Sequence, residues 1–192
     1  AQNLSLSAAL SLNHTSISEV NPPDKISSNG MLKDQFFNRQ EQSRIESAIP
    51  NNKIILSARY GEKSWGMALR TVRFGQVTYR NPFDPAFPEN TSPLIPDQTF
   101  SPKWISDFTL NYTFTNELNI ALGVSNFMDV YPDRVYMDPN NRENNLSGDP
   151  YLNYQSSAAR DNSANGRIPY SGNVSQFGFN GRHIFGKLTY SL

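Results

Sequence analysis

Residues 3–13 read Asn3-Leu4-Ser5-Leu6-Ser7-Ala8-Ala9-Leu10-Ser11-Leu12-Asn13. Leu4, Leu6, Ala8, Leu10 and Leu12 occupy every second position, separated by Ser5, Ser7, Ala9 and Ser11. A period of two sends one set to one face of a strand and the other set to the opposite face; a helix would scatter both. The stretch predicts a strand near 2–14 with one apolar and one small, polar face.

Five further segments repeat the pattern. Ile54, Leu56, Ala58 and Tyr60 alternate with Lys53, Ile55, Ser57 and Arg59, predicting a strand near 52–60. Trp65, Met67, Leu69 and Thr71 open a strand expected near 65–79. Trp104, Phe108, Leu110, Tyr112 and Phe114 share a face opposite Lys103, Asp107, Thr109, Asn111 and Thr113, near 103–114. Leu118, Ile120, Leu122 and Val124 define a strand near 118–126, and Ile184, Leu188, Tyr190 and Leu192 one near 182–192. All 13 prolines fall outside the residues that define these rows, as a hydrogen-bonded ladder requires.

The connections alternate in length. Residues 61–64 and 115–117 are expected to be tight turns; 15–50, 81–102 and 127–180 are long and rich in Asn, Ser, Asp, Gly and Pro. Long structureless loops are uncommon in compact soluble domains. Transmembrane barrels place short turns on the periplasmic side and long loops outside. If the C-terminus is periplasmic, the last strand descends, and both short turns fall on the periplasmic side. Trp104 and Tyr112 lie on one face eight positions apart, a rise of roughly 20 Å along the membrane normal for a strand tilted by about 40°. That suits two aromatic girdles, with Tyr60, Trp65, Phe114 and Tyr190 in the periplasmic one.

Composition agrees. Hydrophobic residues make up 37% and charged residues 18%, while aromatics reach 12%, which suits a wall that shows lipid every second residue. The chain has no cysteine, so no disulfide framework or thiolate metal site is available. Seventeen basic and 17 acidic residues balance, which gives no sign of a nucleic-acid partner. No stretch approaches the roughly 20 apolar residues of a membrane helix. Ala1 leads almost directly into a strand, so the start is expected to be an internal cut. The expected fold class is all-β, as part of a transmembrane antiparallel β-barrel. A soluble β-sandwich also has period-two strands with one buried face, but it leaves the alternation of short turns and long loops unexplained.

Several segments resemble the C-terminal barrel of TonB-dependent outer-membrane receptors. The first is Ser125-Asn126-Phe127-Met128-Asp129-Val130-Tyr131-Pro132-Asp133, where Phe127-Met128 stands in place of the family's leucine–phenylalanine. The run from Phe100 to Asp107, that from Leu118 to Val124, and Gly178-Phe179-Asn180-Gly181-Arg182 are similar too. The chain ends Tyr190-Ser191-Leu192 where such barrels often end in phenylalanine. The resemblance extends from about residue 37 onward. It implies the last six strands or so of a roughly 22-stranded barrel with a plugged lumen, and active uptake of a scarce nutrient such as a ferric siderophore. The implied partners are the remaining barrel and plug, outer-membrane lipid, the TonB complex through a part not in this sequence, and an accessory surface lipoprotein. The implied location is the outer membrane, with several crossings and a periplasmic C-terminus. Rival readings are a passive porin-type or structural barrel, and a soluble adhesive or carbohydrate-binding β-domain.

No catalytic constellation is visible: there is no nucleophile elbow and no phosphate-binding glycine loop. No enzymatic activity and no cofactor are expected. Of the two histidines, His14 ends the first strand and reads as an interfacial polar side chain or, less simply, a metal ligand. Arg39, Glu41, Arg44 and Glu46 mix both signs in one loop arm. They read either as a vestibule that captures substrate or as ion pairs that satisfy one another. In the longest loop, Tyr136, Arg142 and Tyr151 stand out as substrate-binding candidates, beside Tyr131, Arg134, Tyr154 and Arg160. Asp129, Asp133, Asp138 and Asp149 lack EF-hand spacing and read as a solvated loop. Lys53, Arg59, Arg70, Lys103 and Asp107 are expected on the polar, lumen-side face.

Overall fold

The computed structural model describes residues 2–28, 32, 36–80, 97–135, 167–174 and 176–191. These residues form β1 (Gln2–Leu12), α1 (Asp24–Ser27), α2 (Arg39–Glu46), β2 (Asn52–Glu62), β3 (Trp65–Phe74), β4 (Val77–Tyr79), β5 (Gln98–Phe100), β6 (Lys103–Thr113), β7 (Leu118–Ser125) and β8 (His183–Tyr190). The protein is mostly antiparallel β-sheet. Six strands form one sheet in the order β1-β2-β3-β6-β7-β8, with every neighbouring pair antiparallel. β1 and β8 are its two edges. β4 and β5 form a separate two-stranded sheet.

The two short connections fix the registers of β2 with β3 and of β6 with β7. Glu62 pairs with Trp65, leaving Lys63 and Ser64 as a two-residue turn with Lys63 at φ 45°. Between β6 and β7, the Phe114 N–H donates to the Leu118 carbonyl at 2.9 Å. The Thr115 hydroxyl accepts from the N–H groups of Glu117 and Leu118. Such side-chain acceptors stand in for backbone partners in a loop of three residues. The three long connections all leave the opposite end of the sheet.

The strand expected near 65–79 is broken. β3 stops at Phe74, Gly75 and Gln76 interrupt it, and β4 turns away to pair with β5. The Gly75 carbonyl, freed from the ladder, accepts from Gln176 Nε2 at 2.6 Å, and the same nitrogen reaches the Ser101 carbonyl at 2.9 Å. What draws β4 away is a core made from the connections: Ala48, Val77, Tyr79, Phe100, Val135 and Val174 are all buried together. That core is built from β4, β5 and the connections that leave the long-connection end of the sheet.

The registers sort the strand residues into two faces. One face carries Leu4, Leu6, Ala8, Leu10 and Leu12 of β1 and Ile54, Leu56, Ala58 and Tyr60 of β2. It continues through Trp65, Met67 and Leu69 of β3, then Phe108, Leu110 and Tyr112 of β6. Leu118, Ile120, Leu122 and Val124 of β7 and Ile184, Leu188 and Tyr190 of β8 complete it. Among the described residues this face is largely uncovered: Leu69, well inside the sheet, is 41% exposed, and Leu122 is 54% exposed, while the small Ser106 between its neighbours is buried. The other face carries Ser5, Ser7, Arg59, Arg70, Asp107, Thr109, Asn111 and Lys187. Two large apolar rings lie on this side, Phe74 at the end of β3 and Phe185, which covers Gly123 so closely that an added Cβ would clash with the ring.

Candidate functional site

Two regions have the geometry to act: the long-connection end, and the uncovered face.

At the long-connection end, α2 begins at Asn38, whose side-chain oxygen caps the helix by accepting from the Glu41 N–H at 3.0 Å. Asn38-x-x-Glu41 is an N-terminal helix signature that the loop reading of 15–50 missed. The helix brings the four expected charges into contact with the other connections. Arg39 grips Asp97 through two contacts, the shorter 2.6 Å. Arg44 donates to Glu41 at 2.6 Å and to the Asn173 side chain at 3.0 Å. Glu46 accepts from the Ile17 N–H at 3.0 Å and from Arg80 at 3.3 Å. Arg39, Glu41, Arg44 and Glu46 therefore tie together the connections that contain residues 17, 80, 97 and 173. Within the set only Arg44 and Glu41 pair with each other; Arg39 and Glu46 pair with Asp97 and Arg80 on other connections. Tyr79 lies in the same region; burial and the nearby Asp97 raise its pKa, against a smaller lowering by Arg44.

The Asn126–Asp133 segment forms a second knot. Asn126 is buried with φ 49°. Its side chain donates to the Val130 carbonyl at 2.8 Å and accepts from the Val130 N–H at 2.9 Å. Asp129, at φ 57°, accepts from the Arg182 N–H at 2.8 Å. Asp133 accepts from Lys103 and from both the N–H and hydroxyl of Ser101. Asp133 is thus an anchor to the start of β6 and not the solvated loop acid expected from sequence, whereas Asp129 is exposed, as expected, while it accepts from the Arg182 N–H. Burial pushes the Asp133 pKa up, but the hydrogen bonds from Lys103 and Ser101 outweigh it, and the carboxyl sits below the ordinary value. Asp129 raises the pKa of Tyr131, which stacks on Tyr170 at 5.9 Å; Tyr170 in turn stacks on Phe179 at 5.6 Å.

Tyr136, Arg142 and Tyr151 lie outside the described residues, as do Asp138, Asp149, Tyr154 and Arg160. Between Val77, Phe100, Tyr170 and Phe179 lies a cleft of about 10 Å³ that reaches Gln176. That is room for about one water, far short of a small-molecule pocket. His14 lies two residues beyond the end of β1 and is exposed.

The uncovered face is the larger feature. Its two central hydroxyls, Thr71 and Ser106, stand opposite each other and hydrogen-bond at 3.1 Å. Pairing gives the buried Ser106 hydroxyl a partner, which spares the cost of burying it unsatisfied. At the short-turn end, Tyr60 packs against Trp65 at 5.3 Å and Tyr112 against Phe114 at 4.5 Å. At the other end stand Trp104 and, opposite it, Arg73, which is held by Asn52 at 2.8 Å.

The band also runs obliquely to the hydrogen-bonded rows. The row through Leu4 passes Tyr60, Met67, Leu110 and Leu122 and reaches Gly186, yet apolar residues on β8 continue four positions further, to Tyr190. The row through Ile184, the first apolar residue of β8, leads back to Leu6, yet apolar residues on β1 continue six positions further, to Leu12. Between β1 and β8 the band has slid by four to six residues along the strands. Five inter-strand steps of about 4.8 Å with strands tilted by about 40° move a level band by roughly six residues.

Comparison with protein-family models, with curated proteins and with solved structures found no match.

Proposed function

We propose that this chain is a section of the wall of a transmembrane β-barrel in an outer membrane, with its apolar face against lipid and its polar face toward the lumen. The observation that supports this most strongly is the oblique band. A face buried against a second sheet has no reason to slide steadily along the strands; a level membrane layer crossing tilted strands requires it. The open edges at β1 and β8 fit the same reading. Unpaired N–H and C=O groups cost several kcal/mol each in lipid, so both edges need further strands. On this reading the section belongs to a larger barrel, the long connections are outside and the C-terminus is periplasmic.

Within that class, the reading we favour is an active nutrient receptor that takes up a substrate such as a ferric siderophore. Support comes from the resemblance of residues 125–133 and of the flanking strands to TonB-dependent receptors. In the structure that segment anchors one long connection onto β6 and onto the start of β8. This chain would supply wall and outer connections and perform no covalent chemistry. The test is growth and uptake on a ferric siderophore as iron source, with the gene deleted and restored. An active receptor loses uptake when an uncoupler collapses the proton gradient; uptake that survives the uncoupler favours a passive barrel.

A further inference from the structure

Six lysines and arginines lie on the strands of the large sheet. Lys53, Arg59, Arg70, Lys103 and Lys187 share the polar face; Arg73 alone stands on the apolar one. Its place there is not central. Arg73 pairs with Trp104 across to β6 and with Ile54 across to β2, at the long-connection margin of the band. The single acidic residue on the same face, Glu62, lies at the opposite margin, paired with Trp65. The guanidinium is aimed by its neighbour: Nη1 donates to Asn52 Oδ1 at 2.8 Å. Among the described residues Arg73 forms no ion pair, and Nε and Nη2 have no acceptor.

An arginine at the edge of an apolar layer keeps its stem in the layer and turns its head outward. Its planar fork then matches the paired oxygens of a phosphate, in a way that an ammonium does not. We propose that Arg73, oriented by Asn52 and flanked by Trp104, is a docking point for the phosphate of an anionic lipid headgroup at the long-connection margin of the membrane. This rests on the reading that lipid covers the apolar face. Charge complementarity selects the headgroup: the margin that holds Arg73 offers a cation, while the opposite margin offers Glu62.

The two tryptophans report the two margins separately. The full-length protein is reconstituted in phosphatidylcholine containing a minor fraction of phosphatidylglycerol, with bromine on the acyl chains of either lipid. With any tryptophan outside this sequence replaced by tyrosine, Trp65→Tyr leaves Trp104 as the reporter, and Trp104→Tyr leaves Trp65. Brominated phosphatidylglycerol is expected to quench Trp104 at least twofold more than the same fraction of brominated phosphatidylcholine. Arg73→Gln removes that excess, Arg73→Lys keeps part of it, and Trp65 shows none. Equal quenching of Trp104 by both lipids overturns the headgroup site and leaves the lipid-covered face standing. No quenching of either tryptophan by either lipid overturns both. Loss of the excess on adding inorganic phosphate assigns the site to free phosphate and overturns the headgroup. If a tyrosine variant fails to assemble, native mass spectrometry of the parent and Arg73→Gln proteins decides: retained phosphatidylglycerol must fall in the variant.

Discussion

Lys103 at the start of β6 places its ammonium 2.6 Å from the Asp133 carboxylate, 30 residues further along the chain. The pair joins the connection after β7 to β6, the strand immediately before β7 in the main sheet. Ser101 adds two donors to the other carboxylate oxygen. Replacing Asp133 by Ala removes all three acceptor contacts and leaves Lys103 without its partner. The expected loss is about 1–3 kcal/mol for hydrogen bonds to a charged group, read by denaturant unfolding. Asp133→Asn, which keeps the shape, should lie between Ala and the parent.

The same carboxylate sets an acid dependence. Its folded pKa is held below the ordinary carboxylate value, so its contribution is complete above the unfolded pKa and is lost as pH falls through the folded one. Acid titration of amide exchange near Ser101 and Asp133 should show loosening only below the ordinary carboxylate range. Asp133→Asn should flatten that profile, and an unchanged profile would remove Asp133 as its source.

Asn126 carries a left-handed backbone and a two-way hydrogen bond to Val130. Asn126→Gly keeps the backbone at low steric cost but loses the side-chain bonds; Asn126→Ala loses both advantages. Alanine should therefore be the more destabilising by about 1 kcal/mol. Equal costs would show that the conformation adds nothing beyond the hydrogen bonds.

Gly123 and Phe185 occupy directly paired positions on β7 and β8. A methyl group at Gly123 would drive the Phe185 ring off the strand. A double-mutant cycle with Gly123→Ala and Phe185→Ala should give a coupling of about 0.5–3 kcal/mol, because the second change relieves the clash made by the first. Additive effects would show that the ring yields freely.

Leu110 and Asn111 are neighbours on β6 that face opposite ways. In a lipid bilayer, Leu110→Arg should cost about 2–4 kcal/mol, while Asn111→Arg, on the polar face, should stay within about 0.5 kcal/mol. Unfolding from vesicles measures both; the reverse order would exchange the two faces.

The six long strands were legible because each repeats a period of two over eight residues or more, and the registers of β2 with β3 and of β6 with β7 follow from turns of two and three residues. β4 and β5 were not legible. Each has three residues, too few for a period, and they exist because Val77, Tyr79 and Phe100 find Ala48, Val135 and Val174 from distant segments. The helix after Asn38 left a signal in Asn38-x-x-Glu41 that the surrounding polar composition obscured. The charged cluster was visible as Arg39, Glu41, Arg44 and Glu46. Its partners Asp97, Arg80 and Asn173 were not, since no local pattern announces contacts across such separations. Gln176 was invisible for the same reason: it caps the broken end of β3 from 101 residues away.

The central claim is that one face of the sheet meets lipid and the other does not, and it is directly measurable once any cysteine outside this cysteine-free sequence has been replaced. Single cysteines at Ala68, Leu69, Leu110 and Asn111, each carrying a nitroxide label, are placed in the full-length protein in liposomes. Collisions with oxygen, which concentrates in lipid, are compared with collisions with a water-soluble nickel chelate. The account predicts high oxygen and low chelate accessibility at 69 and 110, with the ratio reversed at 68 and 111. Chelate access at 69 and 110 equal to that at 68 and 111 would contradict it.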